Sequence, residues 1–498
     1  MRARSTHHRG ISLRDILPEA EFGRTADIRL AACSTDANRC RPGDLFVALV
    51  EGDRDGHGQV RRAVAAGASA VVTERPVECG VPFCLVRDTH EAFAQICQAL
   101  AGQPGQQLKT IGITGGTGRA TTAYLAASVL EAGGLAAGIM GSLGYCDGVD
   151  SCPPESAHIR PTAAARWLGR MAANQCSHAV IEISPAALRR SALSGVEFDV
   201  ISVAGQLGRN NSDPNSPGEG ELLQSRLVDL MRPEGLAVLE ATGATSESIL
   251  SVLHGPALTV GLEAPAEITA SLLEQSASEQ LFLLHAGDES VPVRTTLVGQ
   301  RNLRHCLLAA GIGLAYEIEL AAIVRGLENV HRIPGRLERL ECGQPFAAFV
   351  DDAGSPSAVK NSLQELRPLT GGKLIVVCGA EGECRESQRP WLGRTLSQHA
   401  ESIVLTSDNP RQESPAAICR QIDRGIPNKG QRAIILDRTA AIHHALSQAQ
   451  PGDCVLVAGK GNQDHQIIGQ QRHPWDDREV VCECLYQQAF RRPITRAA

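Results

Sequence analysis

Short apolar runs recur along the chain at the length of strands, and segments with a helical pattern lie between many of them. The run 110–114, for example, is rich in β-branched residues and breaks into a glycine-rich turn at 115–118. Residues 121–127 then have the pattern of a helix start. Strands that are apolar throughout and alternate with helices indicate a parallel sheet with both faces covered. The pattern therefore predicts an α/β fold.

The same pattern predicts three domains, which cover residues 1–104, 105–332 and 333–498. A chain of 498 residues is too long for one ordinary hydrophobic core, and the stretch 102–105 has the composition of a linker. A helix is predicted over 60–66 and a loop over the polar stretch 209–218. The predicted strands cover 44–49, 68–73, 110–114, 178–183, 198–203, 235–239, 346–351, 373–378, 402–406, 433–436 and 454–458.

Composition and charge narrow the classes of partner. The net charge is −7 and aromatic residues make up 3% of the chain, which argues against a nucleic-acid partner. No apolar run approaches the length that spans a membrane, and no apolar signal segment follows the basic N-terminus. The 16 cysteines are scattered through apolar segments, which is typical of buried reduced thiols. We expect a cytoplasmic protein with no nucleic-acid partner and no membrane span.

The turn after the run 110–114 has the local form of a phosphate-binding loop. A strand, a glycine loop and a helix N-terminus direct backbone N–H groups and the helix dipole toward an anion. A complete P-loop ends in Lys followed by Ser or Thr, whose side chains contact phosphate and Mg²⁺. This chain has Arg119 and Ala120 at those positions. The sequence therefore predicts an incomplete nucleotide site.

Each predicted strand of the third domain ends in a polar or glycine-containing turn. Ligands bind at the carboxyl ends of strands in open α/β sheets, so these turns predict a second ligand site. The turns cover 352–354, 379–382, 407–411, 437–438 and 459–461.

Motifs in all three predicted domains together resemble the Mur ligases, and within them the MurE group. The resemblance covers nearly the whole chain. It implies a three-domain architecture with a central P-loop-type parallel sheet and a C-terminal Rossmann-like domain. The motifs cover 35–36, 41–48, 55–57, 67–68, 112–115, 118, 121–122, 182, 184, 334–336, 389–390, 406–411, 459–461 and 476–479.

The resemblance implies ATP-dependent amide-bond formation, in which a carboxylate is phosphorylated and then attacked by an amine. For the MurE group the implied partners are the UDP-linked muramoyl peptide UDP-MurNAc-L-Ala-D-Glu and an amino acid. The motif 408–411 matches members that use meso-diaminopimelate. A guanidinium pairs bidentately with a free carboxylate, which suits Arg411 to such a substrate. The implied cofactors are ATP and Mg²⁺, and we expect a monomer.

Candidate site residues follow from the matching positions. Arg119 and Glu182 take catalytic positions, and Glu182 is also the candidate metal ligand. Asp36 and Ser184 are candidates for binding the UDP-linked substrate. The candidates for nucleotide binding are Gly115, Gly116, Thr117, Gly118, Arg119, Ala120, Thr121, Asn302 and Arg336. The candidates for amino-acid binding are Asp408, Asn409, Pro410, Arg411, Gly459 and Gln463.

Several positions depart from the family pattern. Arg119 replaces the P-loop Lys, and Ala120 replaces the hydroxyl residue that follows it. The family's carbamylated lysine aligns with Gln224 or Ser225, and the sequence has no lysine between positions 109 and 360. The second Asn of the adenine-side motif is His305.

The third domain departs as well. The family run Gly-Gly-Asp-Arg-Asp reads Glu-Gly-Glu-Cys-Arg at 381–385. The Glu that receives an amino group of the incoming amino acid is Gln463, which is neutral. Groups that act as a unit in catalysis fail together, so we expect the full reaction to be lost or much weakened.

Two hypotheses follow. In the first, the chain is an active ligase with altered metal use, in which Asp408 and Arg411 hold the amino acid. Arg119 would then hold the phosphates and Glu182 the metal. In the second, it is a non-catalytic paralogue that binds a nucleotide, a precursor or a partner ligase, and its loop glycines persist because the turns need positive φ. Ligation of a different amino acid or precursor is a third possibility.

Overall fold

The computed structural model describes residues 10–52, 54–156, 158–207, 219–262, 265–427 and 431–491. The chain divides into two compact units. Of the described residues, the first unit comprises those within 10–207, 219–268 and 308–326, and the second comprises those within 269–307 and 327–491. The predicted loop 209–218 lies outside the described residues.

The first unit begins with a small sheet of five short strands. Leu45 and Val47 of one central strand contact one apolar cluster, and Phe46 contacts another, so both faces of the sheet are buried. All neighbouring strands are parallel except the first pair. The spatial order is Glu21–Gly23, Phe83–Leu85, Ala70–Thr73, Leu45–Val47 and Cys33–Ser34.

A larger sheet in the first unit has the strand Lys109–Gly115 near its middle. This strand is parallel to both of its neighbours, His178–Glu182 and Phe198–Ala204. Parallel strands bring their carboxyl ends to one edge, so the loops that follow Gly115 and Glu182 are neighbours there. The strands of this unit run in the order Ser151–Cys152, Gly144–Cys146, Ala137–Gly141, His178–Glu182, Lys109–Gly115, Phe198–Ala204, Met231–Glu240 and Ala257–Gly261.

The second unit contains a six-stranded sheet in which only the first strand is antiparallel. Alternate residues of its strands contact apolar clusters on opposite faces: Val376 belongs to one, and Ile375 and Val377 to the other. The carboxyl ends of three adjacent strands lead into the turns at 379–382, 407–411 and 459–461. The spatial order is Glu338–Arg339, Ala347–Asp351, Cys454–Ala458, Leu374–Cys378, Ser402–Leu405 and Gln431–Ile434.

The remaining elements are the helices and the strands not named above. The α-helices are Leu13–Ile16, Val60–Ala65, Thr89–Leu100, Arg119–Ala132, Pro161–Ala173, Pro185–Arg189, Glu219–Asp229, Ala244–Val252, Gln300–Ala315, Leu320–Glu328, Pro356–Leu366, Gln388–His399, Pro415–Asp423, Arg438–Gln448 and Asp477–Arg491. The 3₁₀ helices are Ala37–Arg39, Gly56–Gln59, Pro104–Gln106 and Arg367–Leu369. The strands not named above are Ile11–Ser12, Arg29–Leu30, Val50–Glu51, Arg54–Asp55, Ile268–Gln275, Gln280–Ala286, Glu289–Thr295, His465–Ile468 and Gln471–Pro474.

The α/β fold with its parallel sheets is confirmed, and several predicted bounds change. The strand predicted at 454–458 has those bounds in the structure. The strand predicted at 433–436 is Gln431–Ile434 instead, because it is exposed at a sheet edge and tolerates the polar Gln431 and Arg432. The helix after the glycine loop begins at Arg119, two residues before its predicted start.

Two further observations concern the helices and the cysteines. In the described part of the chain, no helix is long and apolar enough to cross a membrane. The sixteen cysteines all lie in the described ranges, and they form no disulfide; ten are buried and six are half-buried.

Candidate functional site

The glycine loop connects the strand Lys109–Gly115 to the helix Arg119–Ala132, which is the order of elements that the sequence predicts. Gly115 has a φ of 123° and Gly118 a φ of 96°, and both values lie in the left-handed region that residues other than glycine rarely adopt. A Cβ at Gly115 would also lie 2.0 Å from the carbonyl oxygen of Ala204. The helix Arg119–Ala132 begins directly after Gly118, which is its N-cap. These glycines are therefore required by the turn itself, whether or not an anion binds.

The side chain of Arg119 folds back onto this loop. Its Nη1 donates to the carbonyl oxygens of Gly115 at 2.6 Å and of Gly116 at 2.7 Å. Its Nε donates to Oε1 of Glu182 at 3.2 Å. The guanidinium therefore binds groups of the protein itself, and its charge is paired with a carboxylate that is 6% exposed.

Both carboxylate oxygens of Glu182 have partners. Oε1 accepts from Arg119, while Oε2 accepts from the backbone N–H and the hydroxyl of Ser142, each at 2.7 Å. Ser142 directly follows the strand Ala137–Gly141, whose carboxyl end lies beside that of the strand carrying Glu182. Ser142 is not among the predicted site residues, because no strand was predicted at 137–141 and its place at a strand end is visible only in the structure.

The residues around the loop do not fit Mg²⁺. This ion requires several oxygen ligands in near-octahedral geometry. Ala120 has no ligand oxygen, and the Glu182 carboxylate already binds a guanidinium. Thr121 is buried. Among the described residues no group of three or more His, Cys, Asp or Glu side chains could hold a metal ion.

Gln224 is one of the two residues that align with the carbamylated lysine, and Ser225 is the other. Gln224 is on the helix Glu219–Asp229 and is 6% exposed. Its Oε1 has no hydrogen-bond partner among the residues that the structure describes. A neutral amide therefore stands where the family pattern has an extra carboxylate, and it supplies no charge to bind a metal.

The adenine-side candidates lie in the second unit. Asn302 is buried and its Nδ2 donates to the carbonyl oxygen of Val298 at 2.8 Å, one helical turn away. Burial lowers the pKa of the nearby His305 to about 3, so this imidazole is neutral near pH 7. Both side chains are thus enclosed by the protein.

Arg336, the other nucleotide candidate of the second unit, forms an ion pair with Asp352. The preceding Asp351 is buried and accepts from the hydroxyl of Ser362 at 2.5 Å and from the N–H of Leu337 at 3.0 Å. Burial and the adjacent Asp352 raise the pKa of Asp351 to about 6. The positive charge of Arg336 therefore partly neutralises the adjacent acids Asp351 and Asp352, which precede the helix Pro356–Leu366.

The two candidates for the UDP-linked substrate both cap local turns. Asp36 accepts from the N–H of Asn38 at 2.9 Å and caps the 3₁₀ helix Ala37–Arg39. Ser184 accepts from the N–H of Ala187 at 3.2 Å and caps the helix Pro185–Arg189. These contacts explain both residue types locally, and their role toward a substrate stays a prediction.

The turns at the carboxyl ends of the second unit's strands meet at the side chain of Asn409, which is 2% exposed. Its Oδ1 accepts from Nζ of Lys460 at 2.8 Å and from the N–H of Ile467 at 2.9 Å. Its Nδ2 donates to Oε1 of Gln463 at 2.9 Å and to Oε1 of Glu381 at 3.1 Å. One amide thus connects three separate turns.

Two buried ion pairs lie beneath this amide. Lys460 lies 3.3 Å from Oδ1 of Asp408, and both side chains are at most 2% exposed. Burial raises the pKa of Asp408 and lowers the pKa of Lys460, while the opposite charge of each partner counteracts the shift. Arg438 forms a two-pronged pair with Asp477 at 2.7 and 2.6 Å, and both are fully buried.

The remaining amino-acid candidates lie around the same turns. Pro410 is buried, and Arg411 is half-buried with a φ of 51°. Nη1 of Arg411 lies 4.0 Å from Oε2 of Glu383, a loose contact for an ion pair. Gly459 has a φ of 116°, and a Cβ there would lie 2.7 Å from Oδ2 of Asp408. The structure therefore brings the candidates 408–411, Gly459 and Gln463 together.

A further ion pair, absent from the predicted site, supports the turn at 379–382. Arg389 is 1% exposed and donates to both carboxylate oxygens of Glu413, at 2.6 and 2.9 Å. It also donates to the carbonyl oxygen of Glu381 at 3.1 Å, and Glu413 accepts from the N–H of Glu383 at 2.5 Å. The hydrogen bond from Arg389 lowers the pKa of Glu413 to about 2. These long-range contacts have no signature in the sequence.

Comparison with known proteins shows which family the chain resembles. Residues 113–313 match the Mur ligase middle domain, and residues 335–461 match the glutamate ligase domain of Mur ligases. A relative from Geobacillus thermodenitrificans, UDP-N-acetylmuramoyl-L-alanyl-D-glutamate–2,6-diaminopimelate ligase, is 32% identical over 93% of this chain and 96% of its own.

Solved structures show the same fold. A UDP-N-acetylmuramoyl-L-alanyl-D-glutamate–2,6-diaminopimelate ligase matches with a TM-score of 0.68 and 23% identity, over 96% of this chain and 99% of the other. MurF from Thermotoga maritima in complex with ADP matches with a TM-score of 0.58 and 16% identity, over 92% and 96%. The domain matches and the extent of the similarity together show that the chain belongs to the Mur ligase family, and within it to the MurE type.

Proposed function

We propose that this chain is a MurE-type protein in which ATP-dependent amide ligation is lost or much weakened. The MurE-type reaction joins an amino acid to UDP-MurNAc-L-Ala-D-Glu, and the relative from Geobacillus thermodenitrificans is named as a 2,6-diaminopimelate ligase. One observation carries the proposal: the Arg119 guanidinium binds two carbonyl oxygens of the glycine loop and the Glu182 carboxylate. The cation of the loop and the candidate metal ligand neutralise each other.

The physical consequence concerns both phosphate and metal. A P-loop uses a compact ammonium that reaches the phosphates, whereas a guanidinium is planar and forms bidentate pairs. To reach a phosphate, Arg119 would have to break its hydrogen bonds to three acceptors. One of these is the carboxylate of Glu182, whose side chain is only 6% exposed. Leaving a buried carboxylate unpaired is costly. Ala120 adds no compensating ligand oxygen.

The remaining assignments follow from the same proposal. ATP and Mg²⁺ are the family's cofactors, and binding of both is weak or absent in this chain. The UDP-linked muramoyl peptide and meso-diaminopimelate are its candidate ligands, and we propose a cytoplasmic monomer. We retain the division into domains at 1–104, 105–332 and 333–498, and the site assignments 115–121, Asn302, Arg336, Asp36 and Ser184.

A role without catalysis is the alternative, in which the chain binds a nucleotide, a precursor or a partner ligase. The organised contacts around Asn409 favour ligand binding at the amino-acid end over loss of all binding. In this case the chain would hold its ligand but not release ADP.

The test is ADP release by the full chain in the presence of UDP-MurNAc-L-Ala-D-Glu, meso-diaminopimelate and MgATP. We expect a rate at least about a hundredfold below that of an intact diaminopimelate-adding ligase assayed in parallel, because losing one preorganised catalytic group has an effect of that size. The Arg119→Ala variant is the control, and its rate should be no lower than that of the unmodified chain. A rate equal to that of the intact ligase would refute the proposal.

A further inference from the structure

We infer that Glu381 is a specificity-determining residue, which receives an ammonium group of an amino-acid ligand together with the side-chain carbonyl of Gln463. The inference rests on the amino-acid ligand of the proposed function, but it is independent of whether the chain turns over ATP. The observation behind it is that Asn409 donates from one nitrogen to both Glu381 and Gln463, at 3.1 and 2.9 Å.

The orientation of the Asn409 amide is determined by its other partners. Its Oδ1 faces two donors, the Lys460 ammonium at 2.8 Å and the Ile467 N–H at 2.9 Å. An ammonium has no acceptor capacity, so the amide nitrogen must face the opposite side. There it meets a carboxylate oxygen and a carbonyl oxygen, which brings two acceptors from turns 82 residues apart to a single point.

The surrounding charges leave a negative group at this point. Below it, Lys460 pairs with Asp408 and Arg438 pairs with Asp477, so these buried charges balance. Glu381 lies above them and its side chain is exposed to solvent. No ion pair to Glu381 is formed by the cations of the described residues. A carboxylate in such a place forms a charge-assisted hydrogen bond with an ammonium group of a ligand.

The carboxylate is also held in position. The carbonyl oxygen of Glu381 accepts from buried Arg389 at 3.1 Å, and the N–H of Gly382 donates to the carbonyl oxygen of Asn409 at 2.8 Å. A Cβ at Gly382 would lie 2.0 Å from the carbonyl oxygen of Pro410. The turn carrying Glu381 therefore packs directly on the backbone leading to Arg411, whose guanidinium suits a ligand carboxylate.

Compared with the family motif, the carboxylate has moved from position 463 to position 381. The motif has Gly where this chain has Glu381, and Glu where this chain has Gln463. Both residues contact the same amide nitrogen, so this chain keeps one carboxylate at the point but supplies it from a different turn.

The experiment is calorimetric titration of the full chain with meso-diaminopimelate and with pimelate, which has the two carboxylates but no ammonium. We expect Glu381→Gln to weaken diaminopimelate binding about tenfold and to leave pimelate binding unchanged, since only the ammonium contact is lost. Gln keeps an acceptor for Asn409, so the turn is preserved. Glu386→Gln, an exposed acid five residues further along the chain, is the matched control and should bind as the unmodified chain does.

A rescue variant separates a direct role from a structural one. Glu381→Gln combined with Gln463→Glu returns a carboxylate to the same amide nitrogen and should recover most of the lost affinity. Equal diaminopimelate affinity in Glu381→Gln and the unmodified chain, or failure of the rescue, would overturn the assignment of Glu381. Absence of diaminopimelate binding by the unmodified chain would overturn it too, whereas ligase-like ADP release would refute only the proposed loss of turnover.

Discussion

The glycine loop and the turns around Asn409 differ in where their charged groups point. At the loop, Arg119 and Glu182 bind each other and the loop carbonyls, so the charges expected to face a ligand face the protein. Around Asn409 the buried charges pair among themselves, and an exposed carboxylate, Glu381, remains at the surface. The two regions therefore differ in which charged groups remain available to a ligand: the protein itself pairs those of the loop, whereas Glu381 remains exposed.

The largest expected effect is a loss of stability when the buried ion pair between Arg438 and Asp477 is broken. Arg438→Met leaves the fully buried Asp477 without its cation, and breaking a buried pair in this way costs about 3–5 kcal/mol of unfolding free energy. Urea denaturation measures it. The matched control is Arg432→Met, whose pair with Asp423 is partly exposed and should cost less than about 1 kcal/mol. If both variants lost similar amounts of unfolding free energy, the buried pair would contribute no more to stability than the partly exposed one.

The second effect reverses the change at the glycine loop. Arg119→Lys combined with Ala120→Ser restores the compact ammonium and the hydroxyl of a P-loop. We expect MgADP to stabilise this variant by about 2.7 kcal/mol at a hundredfold excess over its Kd, and to stabilise the unmodified chain by much less. Thermal unfolding with and without MgADP measures the difference. Arg119→Lys alone separates the contribution of the ammonium. Equal stabilisation of both chains would mean that Arg119 does not close the loop.

The smallest effect is a pH dependence at the turn carrying Glu381. The pKa of Glu413 is lowered to about 2 from an ordinary value of 4.5, so its ion pair stabilises the folded chain above about pH 4.5. That contribution is lost as the pH falls through about 2. Relative to Glu413→Gln, the unmodified chain should gain on the order of 1 kcal/mol between pH 2 and 5, a figure reduced for partial exposure. Parallel pH profiles of the two chains would contradict this account of the pair.

Sequence reasoning reached the fold more fully than the site. The strand Cys454–Ala458 was predicted with its bounds because every residue in it is apolar and buried, whereas Gln431–Ile434 was displaced because an edge strand need not be apolar. The substitutions at Arg119 and Ala120 were visible in the sequence. The direction of the Arg119 side chain was not, since it depends on Glu182, which is 63 residues away and enters only through sheet pairing.

The contacts of Asn409 illustrate the same limit. Its partners Glu381 and Gln463 lie 28 and 54 residues away in the chain, and only the order of the strands brings them together. Motif matching named Asn409 and Gln463 but compared them position by position. The loss of a carboxylate at position 463 is therefore visible in the sequence. That Glu381 supplies a carboxylate to the same amide nitrogen is visible only in the structure.

Calorimetric titration of the full chain with MgATP shows whether Arg119 closes the glycine loop against nucleotide. We predict no saturable binding up to about 1 mM MgATP, the upper end of the range in which enzymes use their substrates. The Arg119→Lys and Ala120→Ser double variant, titrated under the same conditions, should bind. Saturable binding of MgATP to the unmodified chain at micromolar concentration would contradict this prediction.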